Sequence, residues 1–131
     1  MKITRVEAWA VTMRLAEPYT AAYDVLEATT NVFLRIVTDR RIVGVGCAAP
    51  DQQATGETAD HVLGTLRTMV EPALKGADPL RAALLRERLW PVLHEEPSAM
   101  AAVDMALYDI LGKRCDLPLW KVLGGYRESI L

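Results

Sequence analysis

Apolar and polar positions alternate along "NVFLRIVT" (31–38). Val32, Leu34 and Ile36 fall on one face, and Phe33, Arg35 and Val37 on the other. That period of two predicts a strand with one face buried. The opening "ITRVEAWAVTMRL" is rich in β-branched and aromatic residues and has no helical stripe, so residues 3–14 also read as a strand. "IVGVGC" forms a third, after Asp39-Arg40-Arg41. The last two strands suit an antiparallel hairpin. A two-residue primed turn needs positive φ, which Gly or Asn supplies more readily than Arg, so the connection is expected to be longer or bulged.

The period changes at Thr55. Ala59, Val62, Leu63, Leu66, Met69, Val70, Ala73 and Leu74 recur at spacings of three and four, the stripe of an amphipathic helix. Thr55 is the expected cap, Glu57 suits the positive helix end, and Gly76 marks the stop. Pro72 predicts a kink or an early end. Asp78-Pro79 opens a second helix in N-cap and N1 fashion, carrying Leu80, Leu84, Leu85 and Leu89 to about Trp90, where Pro91 interrupts it.

Ser98 is the expected cap of a third helix, "AMAAVDMALYDILGKR". Apolar residues surround nearly its whole circumference, so it needs cover on several sides. Pro118 then starts a short helix, "PLWKVL", stopped by Gly124-Gly125. Three strands followed by helices define an α+β fold, a three-stranded antiparallel meander followed by a helical bundle. The chain contains neither internal repeats nor a low-complexity linker.

Composition narrows the function classes. Of 131 residues, 51% are hydrophobic and 24% charged, the balance of an ordinary globular domain. The 15 basic and 17 acidic residues are interspersed, for a net charge of −2. Without a basic cluster, no nucleic-acid partner is expected. No apolar run approaches the ~20 residues of a membrane span, and Met1-Lys2-Ile3 leads into a strand with no secretory leader. A cytoplasmic protein is therefore expected, with Cys47 and Cys115 as free, buried thiols.

Three motifs invite chemical readings. Gly44-Val45-Gly46-Cys47-Ala48-Ala49 matches G-x-G-x-x-A, but Pro50 and "DQQATG" follow where a dinucleotide site requires a helix N-terminus. Glycines admitting close backbone approach in a strand are the better account. His94-Glu95-Glu96 lacks the second histidine of H-E-x-x-H, since position 98 is Ser; a solvated turn after a helix is expected, with no link to His61. Asp104 and Asp109 stand about 140° apart at about 100° per helical residue, so hydrogen bonds to neighbouring chain are expected of them, not a shared acid–base or metal site.

Together, "AAVDMALYDILGKRCDLPLWKVLGG" (101–125) resembles a signature of the mandelate racemase/muconate lactonizing enzyme branch of the enolase superfamily. Ala102, Asp104, Ala106, Leu107, Tyr108, Asp109, Gly112, Lys113, Pro118, Leu119, Leu123, Gly124 and Gly125 carry it. "EPYTAAYDVLEATTNVFLRIVTD", "GVGCAAP" and "TGET" are more loosely similar to the family's first domain, nearest in flavour to dipeptide epimerases. Three positions depart. Cys47 stands where Glu is usual. Asp116 replaces a common Gly, and Asp tolerates left-handed geometry better than most residues. Arg41 replaces the hairpin glycine, which suggests a local rearrangement.

The resemblance implies an enolase N-terminal-domain-like capping unit (1–97), then helices leading into the start of a (β/α) barrel (98–131). The barrel itself is absent from this chain. It implies an isomerase or lyase that removes the proton α to a carboxylate, dipeptide epimerase slightly favoured. The Mg²⁺ ligands and catalytic lysines would lie on the barrel, so this chain holds no catalytic or metal-binding residue and is inactive alone. Two capping segments, 15–30 and 47–56, would select the small-molecule carboxylate substrate through Tyr19, Thr20, Tyr23, Gln52, Gln53 and Thr55. A homo-oligomer is implied, and without the barrel residues 99–131 are expected to be exposed, disordered or buried in a self-made dimer. The competing class is a free-standing, non-enzymatic binding or oligomerisation module using the apolar surface near Trp120, Val122 and Leu123.

Overall fold

The computed structural model describes residues 1–20, 25–127 and 129. Strands β1 (Ile3–Thr20), β2 (Val25–Thr38) and β3 (Val43–Ala48) form an antiparallel sheet in the order β1-β2-β3. Helices α1 (Ala59–Thr65), α2 (Glu71–Leu74), α3 (Ala82–Leu93), α4 (Pro97–Cys115) and α5 (Leu119–Val122) follow. The α+β meander read from the sequence is therefore the fold.

Alternation sets which sheet face is buried. Val6, Ala8, Val32, Leu34, Ile36 and Ala48 point inward and are buried, with Val62, Leu66, Leu85 and Leu89 in the same core. Helix α4 adds Ala102, Val103, Ala106, Leu107 and Ile110 to it. The core thus runs continuously across residue 97. The expectation that residues 99–131 lack cover is corrected for most of α4: β3 and the helices bury it within this chain. Farther on, Leu117, Trp120, Leu123 and Tyr126 are exposed.

Gly44 and Gly46 explain how α4 lies so near. A Cβ at Gly44 would overlap the carbonyl oxygen of Ala106, and one at Gly46 that of Ala102. Close approach, not phosphate binding, is their role. The edge of β3 is closed by α4 side chains. Asp109 Oδ2 accepts from the Val45 amide at 3.0 Å, and Lys113 Nζ donates to the Val43 carbonyl at 2.8 Å.

The strands run farther than expected. Residues 15–20 and 25–30 are not loop: β1 and β2 continue as a two-stranded ribbon past the end of β3, with Arg14 opposite Ala28, then Tyr19 opposite Leu26. The register shift between those pairs spans Pro18, which cannot donate to a ladder and is accommodated where pairing is interrupted. At the other turn, four residues separate β2 from β3, as expected for a longer connection. Arg41 adopts φ 62°, the left-handed conformation that glycine takes most readily. Asp116 likewise takes φ 55° at the end of α4.

Several helix boundaries differ for physical reasons. Thr58, not Thr55, caps α1, accepting from the His61 amide. Pro72 does not end its helix; a widened turn (Leu66–Val70), with the Glu71 amide donating to the Leu66 carbonyl, makes room for its ring before α2. Asp78-Pro79 makes a turn, with Asp78 Oδ1 accepting from the Leu80 amide, and α3 begins only at Ala82. Pro91 lies inside α3 on its exposed side, where a carbonyl left unpaired can meet water, so the helix continues to Leu93.

Cys115 is exposed and Cys47 half-buried, so neither thiol is buried as expected, and both are free. Glu96 is also corrected: it does not sit in a solvated turn. It is buried, accepting from Thr65 Oγ1 at 2.9 Å and lying 3.0 Å from His61 Nε2.

Candidate functional site

The ribbon and the segment after β3 enclose a cleft of about 500 Å³. Leu26, Ala28, Thr29 and Thr30 form one wall, Ala49 to Gln53 the other, and Glu57, Thr58 and Ala59 the floor. The first wall exists because β2 outruns β3. The second is shaped by Asp51, whose Oδ1 accepts from the Gln53 and Ala54 amides at 2.9 and 3.0 Å. Its carbonyl accepts from the Thr55 amide and hydroxyl. This Asx-type turn presents Gln52 and Gln53 outward.

The floor is anchored by Glu57, which is only 3% exposed. Its Oε1 accepts from Ser98 Oγ at 2.6 Å and the Ser98 amide at 3.0 Å. Oε2 accepts from Thr55 Oγ1 at 2.7 Å. Ser98 therefore does not cap α4 with its own side chain. It lies within the first turn, and a carboxylate from the α1 approach satisfies its amide where the helix dipole favours negative charge. In the sequence Glu57 is marked by its place at the start of a helix stripe and by the "TGET" similarity, and nothing in the spacing identifies its partner.

The expected substrate-facing residues divide. Gln52 and Gln53 line the cleft. Thr55 is absent from its lining, and its hydroxyl serves Asp51 and Glu57. Thr20 is exposed at the end of β1, backbone-paired with Val25, and Tyr19 is paired with Leu26. Tyr23 lies outside the described residues. Leu26, Thr29 and Thr30 join the site without having been singled out, although all three belong to the 15–30 segment.

The other candidates resolve as structural. Asp109 is held by Val45 and Lys113, and Asp104 lies 3.9 Å from Arg86. His61 meets Glu96, not His94. Among the described residues no group of three His, Cys, Asp or Glu side chains is placed to hold a metal ion, and no helix is long and apolar enough to cross a membrane.

A meander packed on a long helix through two glycines, with a ribbon overhanging a polar loop, defines the class to which comparison with known proteins leads. The family model of the mandelate racemase / muconate lactonizing enzyme N-terminal domain matches residues 3–124, and the chain belongs to that family. It is 37% identical to an L-Lys-D/L-Arg epimerase of Desulforapulum autotrophicum over 99% of its own length and 37% of the relative's. Two solved structures are similar. The dipeptide epimerase of Enterococcus faecalis V583, complexed with Mg and the dipeptide L-Leu-L-Tyr, superposes with a TM-score of 0.94 at 32% identity, covering 100% of this chain and 37% of that one. The dipeptide epimerase of Methylococcus capsulatus, complexed with Mg and L-Arg-D-Lys, gives 0.88 at 32% identity, covering 95% and 35%. This chain spans a little over a third of the length of these relatives.

Proposed function

We propose that this chain is the capping, substrate-selecting domain of a magnesium-dependent dipeptide epimerase, an enzyme that removes and returns the proton α to a carboxyl group. The observation that carries the reading is the cleft itself, in which the two segments expected to cap a substrate meet as opposite walls. The similarity to epimerases solved with bound dipeptides supports the choice of substrate.

The magnesium in those solved relatives supports the cofactor, which would stabilise the charge developed on the carboxylate during proton removal. Among the described residues the carboxylates do not fit the ion, since Glu57 and Asp109 are committed to internal hydrogen bonds and no three ligands converge. The domain's own contribution is to exclude water from the mouth of the catalytic part, strengthening electrostatic interactions there, and to offer Gln52 and Gln53 as hydrogen-bonding groups. Tyr19, Thr20 and Tyr23 of the 15–30 segment remain the further candidates for substrate selection. Thr55 would act indirectly, by holding the loop on Glu57. The exposed Leu117, Trp120, Leu123 and Tyr126 would rest against the catalytic part.

The test is a dipeptide panel on the enzyme carrying this domain, with and without Tyr19→Ala. Epimerisation is expected with magnesium, and the variant should reorder kcat/KM among the dipeptides. No turnover of any dipeptide would end the epimerase reading, whereas an unchanged order would end the selective role of Tyr19.

A further inference from the structure

Strand β1 is an outer strand of the sheet, and its free edge is guarded along only part of its length. Backbone groups of alternate residues point to such an edge. The Ile3 amide and carbonyl are taken there by Ala77 and Gly76, at 2.9 and 2.8 Å. The Ala8 carbonyl accepts from Arg67 Nη2 at 2.8 Å and from Nε at 3.1 Å. At the far end, Pro18 has no amide to offer another strand. On the opposite edge of the sheet, Asp109 and Lys113 occupy outward groups of β3.

The stretch of β1 between these guards is open. Because the Ala8 carbonyl points to the edge, the backbone groups of Ala10, Thr12 and Arg14 do so too, while Trp9, Val11 and Met13 bond to β2. Among the described residues nothing hydrogen-bonds the outward amides and carbonyls of Ala10, Thr12 and Arg14, and all three residues are exposed. The sequence from Ala8 to Met13, "AWAVTM", has no charge, proline or glycine, the composition of a strand that recruits another.

We propose that this open edge is a dimerisation site, pairing antiparallel with β1 of a second copy about a two-fold axis at Thr12, so that two three-stranded sheets become one. The open stretch is symmetric about that residue. Thr12 faces Thr12 and Ala10 faces Arg14 of the second copy, so each outward amide meets a carbonyl and roughly six backbone hydrogen bonds form. No like charges oppose each other within it. The Arg67 guanidinium at Ala8 meets only Ala16 of the second copy, whereas an axis at Val11 would bring Arg14 against it. A second copy fits better than an unrelated strand, because its edge is open over the same residues and closed beyond them. The surface is separate from the cleft, and the proposal is independent of the epimerase reading.

The experiment uses the enzyme carrying this domain with Cys115→Ser, which removes the exposed native thiol. Thr12→Cys sets two thiols on directly opposed residues with Cα atoms about 5.5 Å apart, within disulfide reach. Val11→Cys sets them on a diagonal of about 7–8 Å, beyond it. Oxidation with diamide should link Thr12→Cys into a covalent dimer at least about tenfold faster than Val11→Cys. Sedimentation gives the second reading. Thr12→Lys opposes like charges on the axis and should raise the dimer dissociation constant about fivefold, less so at high salt. The cysteine pair keeps small side chains and decides independently of how well the lysine variant folds. A parent that is monomeric at every concentration overturns the inference. Equal linking of the two cysteines overturns it as well, as does a dissociation constant unmoved by Thr12→Lys.

Discussion

Glu57 and Ser98, 41 residues apart, are joined by two hydrogen bonds to one carboxylate oxygen, from the serine hydroxyl at 2.6 Å and its amide at 3.0 Å. The contact ties the floor of the cleft to the first turn of the 19-residue helix around which the core is built. Removing the acceptor strands the Ser98 amide and hydroxyl in a part-buried site, while the Thr55 hydroxyl keeps the Asp51 carbonyl. Glu57→Ala should therefore cost about 2–3 kcal/mol, and Glu57→Gln, which keeps one acceptor oxygen, about 1–2 kcal/mol. Urea unfolding should show the midpoint falling in that order with the slope unchanged. Equal midpoints for Glu57→Ala and the parent would show that the anchor is not a stabilising contact.

Asp109 and Lys113 give the two ionic residues of the "DILGK" stretch a structural purpose. They are 2.6 Å apart and occupy the outward amide and carbonyl of β3, hydrogen-bonding groups that an exposed sheet edge offers to another chain. Asp109→Ala should lower stability by only about 1 kcal/mol, because the site is part-exposed. The larger effect should be on association: at equal concentration and sub-denaturing temperature, light scattering should rise faster than for Asp109→Asn, which retains an acceptor for Val45. Identical scattering for the two variants would argue against edge protection.

The glycines of this domain divide by what surrounds them. Alanine at Gly46 places a methyl group on the Ala102 carbonyl, and backbone cannot yield as a flexible side chain does. Gly46→Ala should cost at least about 3 kcal/mol, with Gly44→Ala similar. Gly64 sits in α1 with open space where its Cβ would be, so Gly64→Ala should stabilise by about 0.5–1 kcal/mol. Thermal melts of the three variants should therefore split in sign.

How far the sequence discloses this arrangement depends on the range of the forces involved. The period-two run around Val32, Leu34 and Ile36 and the three–four spacing through Val62 and Leu66 record burial of a face, which local pattern reports directly. The ribbon was hidden because Glu17, Pro18, Thr29 and Thr30 carry no alternating apolar face: its strands project past the core and bury little. The cap of α4 was hidden for another reason. A serine preceding an apolar run reads as its own N-cap, and a carboxylate brought from 41 residues away leaves no local trace. The same holds for the site. Gln52 and Gln53 stood out as polar residues in a loop, while Leu26, Thr29 and Thr30 became a wall only through strand pairing.

Arg41 holds a conformation that its side chain does not favour. At φ 62° an L-residue with a Cβ crowds its own carbonyl, at a cost of roughly 1–2 kcal/mol that glycine avoids. The Arg41 amide donates to the Thr38 carbonyl at 3.2 Å, and Thr38 pairs on with Ile42 through its amide, so the turn geometry is fixed by backbone bonds that any residue can make. The side chain is exposed, and among the described residues no hydrogen bond or ion pair involves its guanidinium. Glycine also has more unfolded-state freedom to lose, which offsets part of the gain. Arg41→Gly should accordingly stabilise the domain by a net ~0.5–1 kcal/mol, and Arg41→Val, β-branched at a left-handed position, should destabilise it. The order of midpoints in urea, Gly above Arg above Val, checks the account. Valine equal to arginine would mean that the turn relaxes out of the left-handed region.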